Sequence, residues 1–382
     1  MSRHLPAIFA FALALATVVA GISPAVAVET AARHAILLDS ETGRVLMEKD
    51  ADTKMAPASM SKLMTVLMVF ERLKNGSLTL DDTFPVSEKA WRMGGSKMFV
   101  GVNTRIKVAD LLRGIIVQSG NDACIVVAEG LASSEKAFAD EMTLRASELG
   151  LNGSTFRNST GWPDPEHLMS TRDLAKLANI LTTQYPEQYA IFSEKTFTYN
   201  KIRQGNRNPL LYRYTGADGL KTGHTEASGY GLVGSAEKNG RRLVLVVNGL
   251  GSVKQRAQES ERLLDWGFRE FGNYGMFQAG ELVMDVGVWL GSAPTVPLII
   301  EKELTLTLAR KARRKMKVSV DIIEPVPAPI SRGQRLGALV ISGIDMPDIQ
   351  IPLLAGADVP RLGMFGRLGA AFGYLAWGAT GQ

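Results

Sequence analysis

A chain of 382 residues, 46% hydrophobic and 21% charged, is longer than one average domain requires, so a single small module is excluded and at least two domains are expected. Its formal net charge of +5 at pH 7 is too small to argue for a nucleic-acid partner, and its one cysteine, Cys124, excludes an intramolecular disulfide. Past His4, the histidines His34, His167 and His224 lie far apart without an HExxH or HxxEH pattern, which argues against a zinc peptidase, and no pattern calls for a metal or cofactor.

Arg3 and His4 precede an apolar run from Leu5 to Ala20 and a small-x-small site at Ala25-Val26-Ala27. That order reads as a secretory signal over residues 1–27, with the mature chain starting near Val28 outside the cytoplasm. An uncleaved anchor is the other reading, although the run is short for a membrane span. The segment 34-HAILLDSETGRVLMEKD-50 has two apolar runs around a polar turn and predicts a β-hairpin. From Ser59 to Leu73 the residues Leu63, Val66, Leu67 and Phe70 recur at helical spacing, which puts Ser59 in the first turn of a buried helix. Helices are predicted from Val108 to Ile116, from Asp122 to Leu131 and from Ser134 to Leu149, the last closed by Gly150. Tyr230 to Ala236 and Arg242 to Val247 read as strands joined across Asn239-Gly240, and Val253 to Phe271 as a helix. An early hairpin and late strands with helices between them predict an α+β fold, an antiparallel sheet flanked by helices.

Beyond Gly272 short alternating runs, 303-ELTLTL-308, 317-KVSVDII-323 and 336-LGALVI-341, predict a small all-β domain over residues 273–356, with its boundary near Asn273 to Gly280. The last segment places Leu362, Phe365, Leu368, Phe372 and Leu375 on one stripe of a glycine-rich helix. Residues 357–382 therefore suit an amphipathic helix on a membrane surface, with packing against the β domain as the alternative.

Three short stretches carry chemistry. Ser59-x-x-Lys62 in 57-PASMSKLMT-65 puts a hydroxyl and an amine one helical turn apart; read alone it also fits an N-cap serine with a solvated lysine. In 118-QSGND-122, Ser119 and Asn121 flank a glycine between two helices, which alone is an ordinary helix-linking turn. In 219-GLKTGHT-225, Lys221, Thr222 and Gly223 lie on a strand, which alone could be exposed and merely soluble. Their order matches the Ser-x-x-Lys, Ser-x-Asn and Lys-Thr-Gly set of serine acyl-transfer enzymes, with Gly120 in place of the middle aspartate.

The residue types suit that chemistry. A serine hydroxyl needs a base, and a lysine serves only when burial or cationic neighbours keep it neutral. Lys62 beneath Ser59 is placed for this, and Lys221 adds a charge that disfavours protonation of Lys62 and attracts a carboxylate. Ser119 could relay a proton to the leaving amine, and Asn121 could hold a substrate carbonyl. A strand carrying Lys221, Thr222 and Gly223 can pair with an extended peptide, Gly223 leaving room for the approach. Backbone amides of Ser59 and of His224 or Thr225 would hold the oxyanion.

Residues 30–272 resemble the catalytic domain of the serine D-alanyl-D-alanine carboxypeptidases, the low-molecular-mass penicillin-binding proteins. The likeness rests on 57-PASMSKLMT-65, 118-QSGNDA-123, 171-TRDLA-175, 203-RQGNRN-208, 219-GLKTGHT-225 and 229-GYGLVGSA-236. It implies removal of the terminal D-alanine from peptidoglycan pentapeptides through an acyl-enzyme on Ser59, and capture of β-lactams by the same serine. It implies a catalytic set of Ser59, Lys62, Ser119, Asn121 and Lys221, with Arg256 near the substrate's terminal carboxylate and Arg207 in support. It also implies a periplasmic enzyme peripheral to the inner membrane, held by the C-terminal helix. The loop 94-GGSKMFVG-101 resembles a flap beside the pocket, a mobile surface turn being the alternative; 159-STGWPDPEHLMST-171 has no readable role.

Two stretches invite other readings. The run 148-ELGLN-152 resembles the deacylating segment of class A β-lactamases, but Glu148 falls in the last turn of its helix and is expected to point away from the pocket. The run 310-RKARRKMK-317 is either a hairpin tip kept soluble by charge or a contact with anionic lipid or wall polymer. Cys124 reads as a small core residue.

Overall fold

The computed structural model describes residues 28–343 and 346–369. The predicted signal and residues 370–382 of the predicted tail lie outside the described residues. His34–Asp39 and Val45–Lys49 form the expected hairpin, and Arg241–Leu250 pairs with its inner strand. The resulting five-stranded antiparallel sheet runs in the order Val45–Lys49, His34–Asp39, Arg241–Leu250, Gly229–Lys238, Ala217–Thr225. The strand carrying Lys221 is therefore an edge.

The sheet is covered on both faces, and the period of two in its strands decides which residue goes where. Ile36, Leu38, Val233, Val244 and Val246 face a core shared with Leu63, Leu67 and Phe70 of the Lys62–Lys74 helix. Leu37, Leu232, Leu243, Leu245 and Val247 face the Val253–Glu270 helix through Leu263, Leu264 and Trp266. The predicted helices appear as Val108–Ile116, Asn121–Ala132 and Glu135–Glu148, the last capped by Ser134, whose hydroxyl accepts from the Ala137 amide.

Two local expectations need correction. The α-helix starts at Lys62 rather than Ser59, because Ala58–Ser61 is a 3-10 turn entered through Ala58 at φ +50°, a conformation the α-helix does not admit. A further helix, Thr171–Gln184, adds to those predicted, its sequence carrying only the family resemblance of 171-TRDLA-175 above. Its buried Leu174, Leu177, Ala178 and Leu181 recur at helical spacing behind the Ser170 cap, so the signal was present.

Phe271–Phe277 follows the Val253–Glu270 helix directly and pairs with Leu304–Ala309. The remaining strands form a six-stranded sheet in the order Lys317–Ile322, Arg335–Gly343, Met346–Ala355, Thr295–Ile299, Leu282–Trp289, Val326–Pro327. It has its own core, including Val286, Val296, Leu298, Leu339 and Leu353. The basic run 310–317 is not a hairpin tip: Leu304–Ala309 and Lys317–Ile322 pair in different sheets, and a short helix, Arg310–Arg313, links them. Residues 364–369 are helical, with Met364, Phe365 and Leu368 exposed. No helix among the described residues is long and apolar enough to cross a membrane.

Candidate active site

The fold brings the three motifs together from three directions: the 3-10 turn, the turn between two helices, and the edge strand. Lys62 Nζ donates to Ser59 Oγ at 2.8 Å, to Asn121 Oδ1 at 2.8 Å and to the Thr160 carbonyl at 2.5 Å. Lys221 Nζ donates to Ser119 Oγ at 2.8 Å and to the Thr222 carbonyl at 3.2 Å. Lys62 is 0% exposed and Lys221 3%, so neither is a solvated surface lysine. Burial is the chief force on both: it lowers the Lys62 amine to about 8, and burial and then the Lys62 charge push Lys221 well below the lysine range. Two ammonium groups sharing one dry site disfavour each other, so the pair favours losing a proton.

The oxygens around Lys62 fix where its lone pair goes. Asn121 Oδ1 and the Thr160 carbonyl can only accept, and a neutral amine has two N–H bonds to give them. The lone pair is left aimed at the third neighbour, the Ser59 hydroxyl, the only one with a proton to yield. Asn121 is itself oriented by its Nδ2, which donates to the Gly94 carbonyl at 2.9 Å.

The backbone is forced at this point. Ala58 and Ser119, both next to or in a motif, hold φ +50° and +59°, left-handed values rare for residues with a side chain. A Cβ on Gly223 would lie 2.8 Å from the Pro57 carbonyl oxygen, so the glycine lets the edge strand close on the turn that carries Ser59.

The loop that the sequence left without a role supplies the floor. Besides the Thr160 carbonyl on Lys62, the Ser159 carbonyl accepts from Thr65 Oγ1 at 2.7 Å. Asn158 Oδ1 accepts from Thr160 Oγ1 and from the amides of Thr160, Gly161 and Trp162, at 2.8 to 3.1 Å. Glu135 Oε1 accepts from the Ser159 amide and hydroxyl. Asn158 and Glu135 are not legible in the sequence because neither hydrogen-bonds to a motif residue; they hold the loop whose carbonyls meet Lys62 and Thr65.

The 94–101 loop is pinned at its middle. The buried Asp122 carboxylate accepts from the amides of Met98, Phe99 and Val100. Ser96 Oγ in turn accepts from Arg207 Nη1 at 2.6 Å.

A cavity of about 310 Å³ opens among these groups, lined by Ser59, Ser119, Thr222, Gly223, His224, Arg207 and Arg256, together with Ser96, Tyr230 and Val253. Arg256 is buried, its Nη1 3.5 Å from the Gly231 carbonyl and its Nε without a partner, and burial lowers it to about 10. The His224 ring stacks on Tyr230 at 3.9 Å, and the Arg256 guanidinium lies 5.8 Å from the same ring. Thr225 is not among the residues lining the cavity, and its amide, one of the two alternatives for the second oxyanion donor, donates to Ser228 Oγ at 3.1 Å. Glu148 is exposed and paired with Arg145 at 2.7 Å, as its place in the last turn predicts. Cys124 is fully buried in the core, which pushes its thiol up to about 12.

Residues 20–251 match the family model described as D-alanyl-D-alanine carboxypeptidase, and residues 271–361 match that of the penicillin-binding protein 5 C-terminal domain. The chain is 39% identical to the D-alanyl-D-alanine carboxypeptidase DacC of Escherichia coli K12 over 88% of this chain and 86% of that protein. It is 35% identical to DacA of Haemophilus influenzae over 95% of this chain and 93% of that one. Among solved structures, penicillin-binding protein 5 of Haemophilus influenzae superposes with a TM-score of 0.79 at 35% identity, covering 89% of this chain and all of that one.

Proposed function

The chain belongs to the D-alanyl-D-alanine carboxypeptidases, serine peptidases that are also penicillin-binding proteins, and we propose that Ser59 is its nucleophile and Lys62 the base that activates it. The supporting observation is the buried Lys62 amine, held by two carbonyl acceptors and 2.8 Å from Ser59 Oγ, so that the neutral amine has its lone pair free for the hydroxyl proton. Lys62 takes the hydroxyl proton as Ser59 Oγ attacks the carbonyl carbon of the penultimate D-alanine. The oxygen gains the charge, and we assign its donors to the amides of Ser59 and His224, since the Thr225 amide is engaged by Ser228. Ser119, bonded to Lys221, relays the proton taken up by Lys62 to the nitrogen of the departing D-alanine as the C–N bond breaks, which leaves Lys62 neutral for the next step. Water, deprotonated at the same site, then releases the shortened peptide from Ser59.

Arg256, with a buried Nε that has no partner, and Arg207 beside it supply charge for the terminal carboxylate, and Thr222 and Gly223 pair with the substrate strand. Asn121 orients Lys62 and the substrate amide. A β-lactam carbonyl enters by the same attack, but its leaving nitrogen stays tethered, so the acyl-enzyme persists.

We assign catalysis to residues 28–272, a β domain to 273–356 and a membrane-surface anchor to 357–382, on the periplasmic face of the inner membrane after loss of residues 1–27. The exposed Met364, Phe365 and Leu368 support the anchor. The test is release of D-alanine from a soluble pentapeptide by the purified protein and by Ser59→Ala: release by the first alone supports the assignment, and release by both removes Ser59 from it.

A further inference from the structure

The run 310–317 carries six exposed cations, Arg310, Lys311, Arg313, Arg314, Lys315 and Lys317, with no acid among them. None forms a salt bridge among the described residues. Two are tied down locally, Arg310 Nε to the Arg269 carbonyl at 2.9 Å and the Arg313 guanidinium 4.1 Å from the Tyr274 ring centre. The sequence left two occupants for such a cluster, a lipid surface or the wall polymer, and its place in the fold discriminates between them.

Strand register locates the cluster. Ala309 pairs with Phe271 and Lys317 with Ser342, so the run lies where the β domain meets the end of the Val253–Glu270 helix. The proposed anchor leaves from the other end of that domain: Met346–Ala355 runs back along the sheet, and only then does Arg361 reach Gly291. Ten strand residues span about 33 Å, whereas charges in physiological salt are screened over roughly 8 Å. A bilayer holding the anchor is thus out of electrostatic reach of the cluster. The catalytic pocket is nearer in kind. Arg256, on its wall, and Arg269, beside the cluster, are on one helix and about 20 Å apart at its ordinary rise.

Resting on the carboxypeptidase reading above, we propose that this cluster is a second, non-catalytic binding site for the polymeric substrate. It holds the free carboxylates of neighbouring stem peptides while one stem occupies the Ser59 pocket. The spacing suits a strand too long for the pocket alone, and charge complementarity supplies the attraction without selecting a sequence.

The test replaces the four cations whose side chains have no hydrogen bond, ion pair or ring contact among the described residues, as Lys311→Gln, Arg314→Gln, Lys315→Gln and Lys317→Gln in the full mature chain. Co-sedimentation with purified peptidoglycan sacculi and with vesicles of phosphatidylcholine and phosphatidylglycerol is compared with D-alanine release from a soluble pentapeptide. The proposal predicts unchanged release from the pentapeptide, unchanged vesicle binding, and sacculus binding weaker by roughly tenfold at low salt, a difference that added salt erases. Equal binding to sacculi overturns it, as does a loss confined to vesicles, which would assign the cluster to lipid. Failure of the wild type to trim the soluble pentapeptide would strike the carboxypeptidase reading instead, leaving the sacculus comparison to judge the cluster by itself.

Discussion

Lys62 Nζ stands 2.8 Å from Ser59 Oγ, and of the three oxygens around that nitrogen only the serine's carries a proton to give. As the proposed base, Lys62 is competent only when neutral, and burial lowers the amine to about 8. Acylation by benzylpenicillin should therefore rise with pH through that region and level off above it. Lys62→Arg, which cannot lose its proton, should lower the rate by about 10³ or more and remove the pH dependence. A wild-type rate flat across neutral and mildly alkaline pH would reject Lys62 as the base.

Asn158 makes no hydrogen bond to Lys62, yet its side-chain oxygen gathers the donors of the loop whose Thr160 carbonyl does. Asn158→Ala should slow acylation by roughly 10- to 100-fold while leaving most of the melting temperature intact. Asn158→Asp, which keeps an acceptor oxygen, should recover a large part. Stopped-flow acylation of the two variants decides this, and equal loss in both would assign Asn158 a purely structural role.

Arg256 offers a buried guanidinium whose Nε has no partner. Arg256→Ala should raise KM for peptides with a free terminal carboxylate, the lost charged hydrogen bonds being worth about 1.5–3 kcal/mol. Peptides capped as the C-terminal amide lack that carboxylate and should respond far less. A similar fall for both would show that the arginine supports the pocket without reading the terminus.

Gly161 and Gly240 both hold left-handed φ, at +76° and +75°, but only the first is crowded, since an added Cβ would lie 1.9 Å from the Ala58 carbonyl oxygen. Gly240→Ala should cost about 1 kcal/mol of backbone strain. Gly161→Ala should cost several-fold more and slow acylation, because relief of the clash moves the turn that carries Ser59. Thermal melts and acylation rates of the pair test this, and equal melts would contradict it.

Glu148 is paired with Arg145 on the surface. Glu148→Gln should leave the lifetime of the penicilloyl enzyme unchanged, as followed by intact mass; a stalled acyl-enzyme would bring back the β-lactamase-like reading of 148-ELGLN-152.

What could be read in the sequence was what has a period or a fixed spacing. Alternation in 243-LVLVV-247 sorted those residues between the two faces of the sheet, and the spacing of Ser59 and Lys62 foretold their contact. Convergence of the three motifs had to be inferred from resemblance, because Lys62 and Asn121 are 59 residues apart and Lys221 and Ser119 are 102 apart. The Thr160 carbonyl could not be read at all, since every residue has a carbonyl and only the loop's path aims this one. The left-handed Ala58 was equally silent, and it is why the helix begins three residues later than its apolar spacing suggested. The basic run looked like a hairpin tip because sequence shows the strands on either side but not which sheet each one joins.

Whether Ser59 carries the acyl group is decided by peptide mapping with mass spectrometry of the protein after incubation with penicillin, beside Ser59→Ala. One penicilloyl group is expected on the peptide containing Ser59 in the wild type and none in the variant. An adduct at another residue, or one that persists in Ser59→Ala, would contradict it.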